Sequence, residues 1–273
     1  MPTKGYRFEE GRDVDISHLL NPSNSVSAAT HQGLVLARHE AIIDYQGAKL
    51  LLHQSDSPGR GLYLPIGGEI QRGVEIEESL RECVREACNL GLEDITELET
   101  TRTLWKDDPF DHGHGTDALT WMYSATGRGE LNVPNHGQVQ LVRPQEYGSS
   151  RSSFTPYVRD CLDAAFFGIS PVEMYAESGM DLQRMQADPL PREAYGQAHQ
   201  SMVIPCHDVF IEYQRGILLV KRDNLPAKDI FWPVGGRVER GRSTEESLRR
   251  KVKAECNLEL ENIEKIGTAR TFW

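Results

Sequence analysis

The chain has 273 residues, enough for one large domain or two of ordinary size, and its hydrophobic content of 38% suits a globular protein. Its 41 acidic and 30 basic side chains give a net charge of −11, which argues against the basic face that nonspecific nucleic-acid binding requires. No apolar run approaches the roughly 18 residues of a membrane span, and the N-terminus has no signal-peptide core.

The first predicted elements are two strands, "HEAIIDY" and "AKLLLHQ", joined by a glycine-containing turn. A Gly-Pro-rich loop follows, and then a helix whose buried stripe is Leu80, Val84 and Cys88. The strand "ALTWMYSA" and the amphipathic helix "PYVRDCLDAAFF" come next. Strands alternating with two helices predict an α/β domain in which a mixed sheet lies between helical layers.

The segment after this domain contains three prolines, and we interpret it as a linker with "VEMYAESGMDLQRM" as its best helix candidate. Beyond it, "CHDVFIEY" and "GILLVKR" predict a second hairpin, again followed by a glycine-rich loop and a helix. Ser243 and Glu246 have the spacing of a capping box at the start of that helix. The second series of elements therefore repeats the first.

This internal repeat aligns residues 40–105 with 208–273 without a gap, and 27 of the 66 positions are identical. The first copy continues well beyond Trp105, whereas the second stops at Trp273, the partner of Trp105. We predict an N-terminal extension, a first domain, a linker and a second domain that lacks its C-terminal half, over 1–33, 34–168, 169–199 and 200–273.

The five cysteines are odd in number and show no CxxC spacing. This pattern predicts a reduced, cytoplasmic protein with buried thiols, and zinc is not expected.

Two stretches, "LPIGGEIQRGVEIEESLRECVREACNLGL" and "WPVGGRVERGRSTEESLRRKVKAECNLEL", both resemble the Nudix box. The resemblance implies an α/β/α sandwich that hydrolyses a nucleoside diphosphate linked to another moiety, with Mg²⁺ or Mn²⁺ as cofactor. In that chemistry helix carboxylates hold the cation, which acidifies the attacking water. The Gly-Gly turn brings a backbone carbonyl to the metal, and Gly68 and Gly236 are the candidates.

Neither copy keeps the full carboxylate set of the box. Of the closing Glu-Glu pair, the first copy retains only Glu86 and the second only Glu255. Both are candidate metal ligands, and the competing interpretation of each is a solvated surface charge. Lys251 stands where the box has a metal carboxylate, and its charge would repel a cation.

The second copy also resembles the GDP-mannose mannosyl hydrolases, a degenerate branch that keeps one metal glutamate and uses a loop histidine as base. This resemblance implies diphosphate contacts from Arg222 and Arg237. In the first copy it implies a substrate contact from Asp117, in "HGTDALTWMY", and a catalytic role for His136. Alternatively, His136 is an ordinary loop histidine.

The run "DDPFDHGHGTD", from Asp107 to Asp117, carries carboxylates and two histidines. It is either a metal-binding loop or a flexible acidic loop.

The leading hypothesis is a tandem Nudix hydrolase that acts on a nucleotide-derived small molecule, best a nucleotide sugar. The alternative is a catalytically inactive Nudix module that binds nucleotide or protein. A half domain would expose strand edges and an apolar face, so we expect intimate contact between the two copies, or a homodimer. Neither nucleic acid nor a membrane is an expected partner.

Overall fold

A computed structural model of the chain describes residues 28–134, 137–186, 190–223 and 228–269. The helices in chain order are α1 (Ala28–Gly33), α2 (Ile76–Cys88), α3 (Pro144–Ser150), α4 (Pro156–Phe167), α5 (Leu182–Met185), α6 (Arg192–Ser201) and α7 (Thr244–Cys256). Within the described ranges, no helix combines the length and apolar character needed to cross a membrane.

A mixed eight-stranded sheet organises the first copy, with the path β3-β2-β1-β6-β5-β8; β4 also pairs with β1, and β7 with β2. The β1·β6 and β5·β8 pairs are parallel, and the other pairs are antiparallel. The strands are β1 (Leu36–Tyr45), β2 (Ala48–His53), β3 (Tyr63–Leu64), β4 (Ile66–Glu69), β5 (Gly91–Trp105), β6 (Thr116–Arg128), β7 (Val139–Val142) and β8 (Met174–Ala176).

The core of this copy lies in two layers, one on each face of the sheet. Side chains alternate along β1, so that Ala41 and Ile43 pack towards α2 while Ile42 packs towards α4. The predicted helix stripe of Leu80 and Val84, with Cys88, is fully buried against the sheet. The α/β prediction with a mixed sheet between helices is therefore confirmed.

The linker prediction needs one correction. Residues 174–176, expected to be helical, form strand β8, which extends the first sheet by pairing with β5 from Arg102 to Leu104. Only α5 is helical within the predicted helix. The segment is therefore partly integrated into the first domain.

The second copy forms three short antiparallel ladders, β9·β14, β10·β11 and β12·β13. Their strands are β9 (Cys206–Val209), β10 (Ile211–Tyr213), β11 (Gly216–Leu218), β12 (Val220–Lys221), β13 (Phe231–Trp232) and β14 (Val234–Arg237). Phe210 and Leu219 are 56% and 40% exposed, whereas their first-copy equivalents Ile42 and Leu51 are buried beneath α4. An apolar face that is covered in the first copy is thus open in the second.

Candidate functional site

Strands β4 and β14, which carry the Gly-Gly pairs and are called the Gly-Gly strands below, occupy the same register in the two copies. In the first, β4 pairs with β1 so that Gly68 lies opposite His39; in the second, β14 pairs with β9 so that Gly236 lies opposite His207. A Cβ atom on Gly67 would overlap the backbone carbonyl of His39, so the close approach of the two strands requires glycine there.

In each copy, a histidine–serine hydrogen bond connects the strand that pairs with the Gly-Gly strand to the following helix, α2 or α7. His39 Nε2 lies 2.8 Å from Ser79 Oγ, and His207 Nε2 lies 2.7 Å from Ser247 Oγ. Ser247 Oγ also accepts a hydrogen bond from the Glu239 amide. Burial lowers the pKa of His207, which favours the neutral imidazole in this network. Each helix is consequently held at a fixed position relative to its Gly-Gly strand.

In the second copy, a lysine lies in the pocket where the box resemblance places a cation. Lys251 Nζ is 2.8 Å from Glu255 Oε1, with both side chains a little over one-third exposed. The Lys251 Cε atom lies 2.9 Å from the position that a Cβ on Gly236 would take. The ammonium group therefore stands between the Gly-Gly loop and the one remaining carboxylate of the closing pair.

Two predicted diphosphate contacts are close to the same pocket. The Cys206 thiol keeps contact with solvent, but desolvation by the protein atoms around it, assisted by Asp208, raises its pKa to about 11. Arg237, Arg222 and Lys251 act in the opposite direction on that pKa. Two of these cations lie close to β9: Arg237 is opposite Cys206 in the β9·β14 ladder, and Lys251 lies against Gly236.

Tyr195 of helix α6 contacts the guanidinium of Arg237. The Arg237 guanidinium lies over the Tyr195 ring, 4.2 Å from its centroid. Such cation–π contacts favour a preformed orientation of the guanidinium without neutralising its charge.

The equivalent pocket of the first copy has different chemistry. Cys83 Sγ lies 3.2 Å from the position that a Cβ on Gly68 would take, and burial raises the pKa of this thiol to about 11. Arg38 lowers that pKa, whereas Glu86 raises it. Glu86 itself is exposed on α2. Its role as a metal ligand, like that of the Gly68 carbonyl, stays a prediction.

The side chain that lies against the second glycine of each Gly-Gly pair does not fit a divalent cation. In the second copy the Glu255 carboxylate is paired with Lys251, whose charge would oppose an incoming cation. In the first copy the side chain beside Gly68 is a thiol with a raised pKa, and therefore not the carboxylate oxygen that Mg²⁺ prefers.

Asp117, expected to contact substrate, lies at the boundary between the copies. It is fully buried and accepts hydrogen bonds from Arg102 Nε at 2.5 Å and Arg102 Nη2 at 2.9 Å. The Gly241 amide of the second copy donates to it at 2.7 Å, and Arg102 donates to the Glu239 carbonyl at 2.9 Å. Asp117 Oδ2 therefore connects the two copies directly, whereas Oδ1 holds Arg102 of its own copy.

Sequence reasoning missed Arg240, which is 5% exposed and reaches from the second copy into the first. Burial lowers its pKa, and Asp117 opposes that shift. Within the described part of the chain, its guanidinium donates only to backbone carbonyls, those of His31, Leu34, His114, Gly115 and Met185. Arg240 and Gly241 repeat Arg72 and Gly73 of the first copy. The contacts that Arg240 makes with the first copy are distant in sequence, so no local pattern indicates them.

The acidic run that begins at Asp107 forms the loop between β5 and β6, and its last two residues, Thr116 and Asp117, begin β6. The Asp108 carboxylate accepts hydrogen bonds from the amides of Phe110, His112 and Gly113. His31, which the sequence analysis did not single out, reaches the same loop from α1. His136 lies outside the described residues, and its catalytic role stays a prediction.

No protein-family model matches the chain, and no curated protein does either. Solved structures of Nudix hydrolases are similar to part of it. A MutT Nudix hydrolase from Burkholderia pseudomallei is 21% identical with a TM-score of 0.34, over 39% of this chain and 81% of that one. A Nudix hydrolase from Nitrosomonas europaea is 15% identical with a TM-score of 0.39, over 54% and 99%. The Nudix domain of Shewanella oneidensis NrtR, in complex with ADP-ribose, is 18% identical with a TM-score of 0.34, over 42% and 77%.

Proposed function

We propose that this chain is a tandem, Nudix-like protein whose second copy binds a nucleoside diphosphate derivative without a divalent cation. The observation that carries the proposal is the position of Lys251 Nζ, 2.8 Å from the Glu255 carboxylate and beside the Gly-Gly loop. An ammonium group there supplies positive charge to a diphosphate where a hydrolase of this kind has its metal.

The charge balance of the pocket supports an anionic ligand. Three cations, Arg222, Arg237 and Lys251, act on the Cys206 thiol, in a chain whose net charge is −11. Guanidinium groups bind phosphate oxygens in a bidentate manner, and a lysine contributes a compact point charge.

The repeat of register and hydrogen bonds supports descent of the two copies from one duplicated unit. In this proposal the first copy provides the surface on which the second is held, through Arg102, Asp117 and Arg240. The nucleotide sugar preference and the cytoplasmic location remain part of the proposal.

Calorimetric titration with GDP-mannose and with ADP-ribose, each in EDTA and in Mg²⁺, tests the proposal. We expect the same affinity under both conditions for the ligand that binds. Lys251→Met should weaken binding at least about ten-fold, which corresponds to the loss of one good ionic contact. Lys253→Met is the matched control, because Lys253 lies on the same helix and pairs with Glu259 outside the pocket. Its affinity should be that of the wild type.

A hydrolase is the second candidate function, favoured by the retained Glu255. The same samples are assayed for release of nucleotide and sugar products. Turnover that requires Mg²⁺ and is lost in Glu255→Gln would establish the hydrolase and overturn the cation-free proposal. Binding that is unchanged in Lys251→Met would also overturn it.

A further inference from the structure

Three side chains with metal-binding atoms converge away from both Gly-Gly pockets. They are His31 of α1 and two residues of the β5–β6 loop, Asp108 and His112. One ligand atom from each can be chosen so that all three lie within 4.8 Å of one another. None of the three belongs to a Gly-Gly strand or to either box helix.

This cluster is held by the surrounding backbone. The Asp108 carboxylate is fixed by backbone amides at 2.9 to 3.2 Å and lies 3.3 Å from His112 Nδ1. The relative side-chain exposures of His112 and Asp108 are 9% and 3%, and His31 is 1% exposed. Among the described residues, His31 Nε2 has no hydrogen-bond partner although it is buried.

The two imidazoles already face each other at close range. His31 Nδ1 and His112 Nε2 are 2.8 Å apart. Two nitrogens bound tetrahedrally to one ion at 2.0–2.1 Å are about 3.3 Å apart, so only a small opening of this pair is required. His112 Nδ1 accepts a hydrogen bond from the His114 amide, so metal binding through His112 Nε2 requires that this contact be given up and that the proton move to Nδ1, 3.3 Å from Asp108 Oδ2.

We propose that His31, Asp108 and His112 bind a divalent transition-metal ion of the zinc class. Two imidazoles and one carboxylate suit such an ion and leave a fourth position for water. Mg²⁺ and Ca²⁺ fit poorly because they prefer oxygen ligands throughout. The cysteine pattern gave no reason to expect zinc, and no cysteine belongs to this cluster.

The neighbouring charges permit this ion. Two cations, Arg240 and Arg38, act on His31, and the Arg240 guanidinium is engaged by carbonyl oxygens of His31 and His114. Burial and Arg102 lower the pKa of Arg240, whereas Asp117 and Asp108 raise it.

The ion would have a structural consequence for the whole chain. It would join α1 to the β5–β6 loop, and these two segments with the adjoining Leu34 supply four of the five carbonyls that receive the Arg240 guanidinium. Metal binding would therefore stiffen the surface on which the second copy is held.

Titration of the EDTA-treated full chain with Co²⁺ and Zn²⁺ tests the site. We expect one equivalent of Co²⁺ to give the intense visible absorption of a four-coordinate ion, and Zn²⁺ to displace it and raise Tm. His112→Gln and Asp108→Asn should each weaken Zn²⁺ binding at least about ten-fold. His53→Gln, in β2 of the first copy, is the control and should bind like the wild type.

Circular dichroism shows whether each variant is folded, and His31→Gln provides an independent removal of a ligand from another element. A folded chain that takes up no Co²⁺, or an affinity that is unchanged in both His112→Gln and His31→Gln, would overturn the proposal. In that event the three residues form a hydrogen-bonded chain and no metal site.

Discussion

Arg240 offers the sharpest test of how the second copy is held. Replacing it with methionine preserves much of the side-chain volume but removes every hydrogen bond from the guanidinium to the five carbonyls that it contacts. Hydrogen bonds to a charged group contribute about 1.5 kcal/mol or more each, so the simple sum for five bonds is at least about 7.5 kcal/mol. Partial rehydration and non-additivity reduce this, and we expect Arg240→Met to lower the free energy of unfolding by about 3–4 kcal/mol.

The assay is urea denaturation followed by tryptophan fluorescence. Arg72→Met is the matched control, because Arg72 occupies the equivalent position of the first copy, 168 residues earlier, and is only half-buried. Its substitution should cost less than about 1 kcal/mol, as for most exposed positions. Equal losses in the two variants would refute the reasoning, because the copy-bridging role would then contribute nothing beyond an ordinary arginine.

Three further outcomes are expected. Burial lowers the pKa of His207, so its neutral form stabilises the fold above the ordinary pKa of 6.5, and stability falls as the pH drops below that value. In melting experiments at a series of pH values, His207→Gln should therefore reduce the fall of Tm with decreasing pH. Gly115→Ala should lower Tm more than Gly47→Ala: both glycines have positive φ, but a Cβ at Gly115 alone would overlap the Trp105 carbonyl. Ser243→Ala removes the N-cap of α7 and should cost about 1 kcal/mol in urea denaturation, with full restoration by Ser243→Asp as the check on that mechanism.

The elements that could be predicted from the sequence are those with a local signal. The stripe of Leu80, Val84 and Cys88 recurs every fourth residue, so it specified both a helix and its buried face. The N-cap half of the predicted capping box is confirmed, since the Ser243 hydroxyl accepts a hydrogen bond from the Glu246 amide, whereas the Glu246 carboxylate pairs with Arg242.

The elements that escaped prediction depend on distant partners. Strand β8 has only three residues, and its extended form comes from the backbone of β5 and not from its own side chains. His31 and Asp108 are far apart in sequence, so no spacing rule connects them. Asp117 was placed correctly at the start of a strand, but its partner Arg102 lies on the neighbouring strand and was not foreseen.

The two pockets differ in which element, the strand or the helix, carries the cation and which carries the thiol. In the first copy the cation, Arg38, is on the strand and the thiol, Cys83, is on the helix; in the second the thiol is Cys206 on the strand and the cation is Lys251 on the helix. If the copies diverged from one ancestor, either order of single substitutions passes through a state with two facing cations or two facing thiols. Two cations repel, and two thiols remove the positive charge that one of these two positions supplies. Each pocket is consequently separated from the other by an unfavourable intermediate, so that one substitution cannot convert the first copy into a second ligand site.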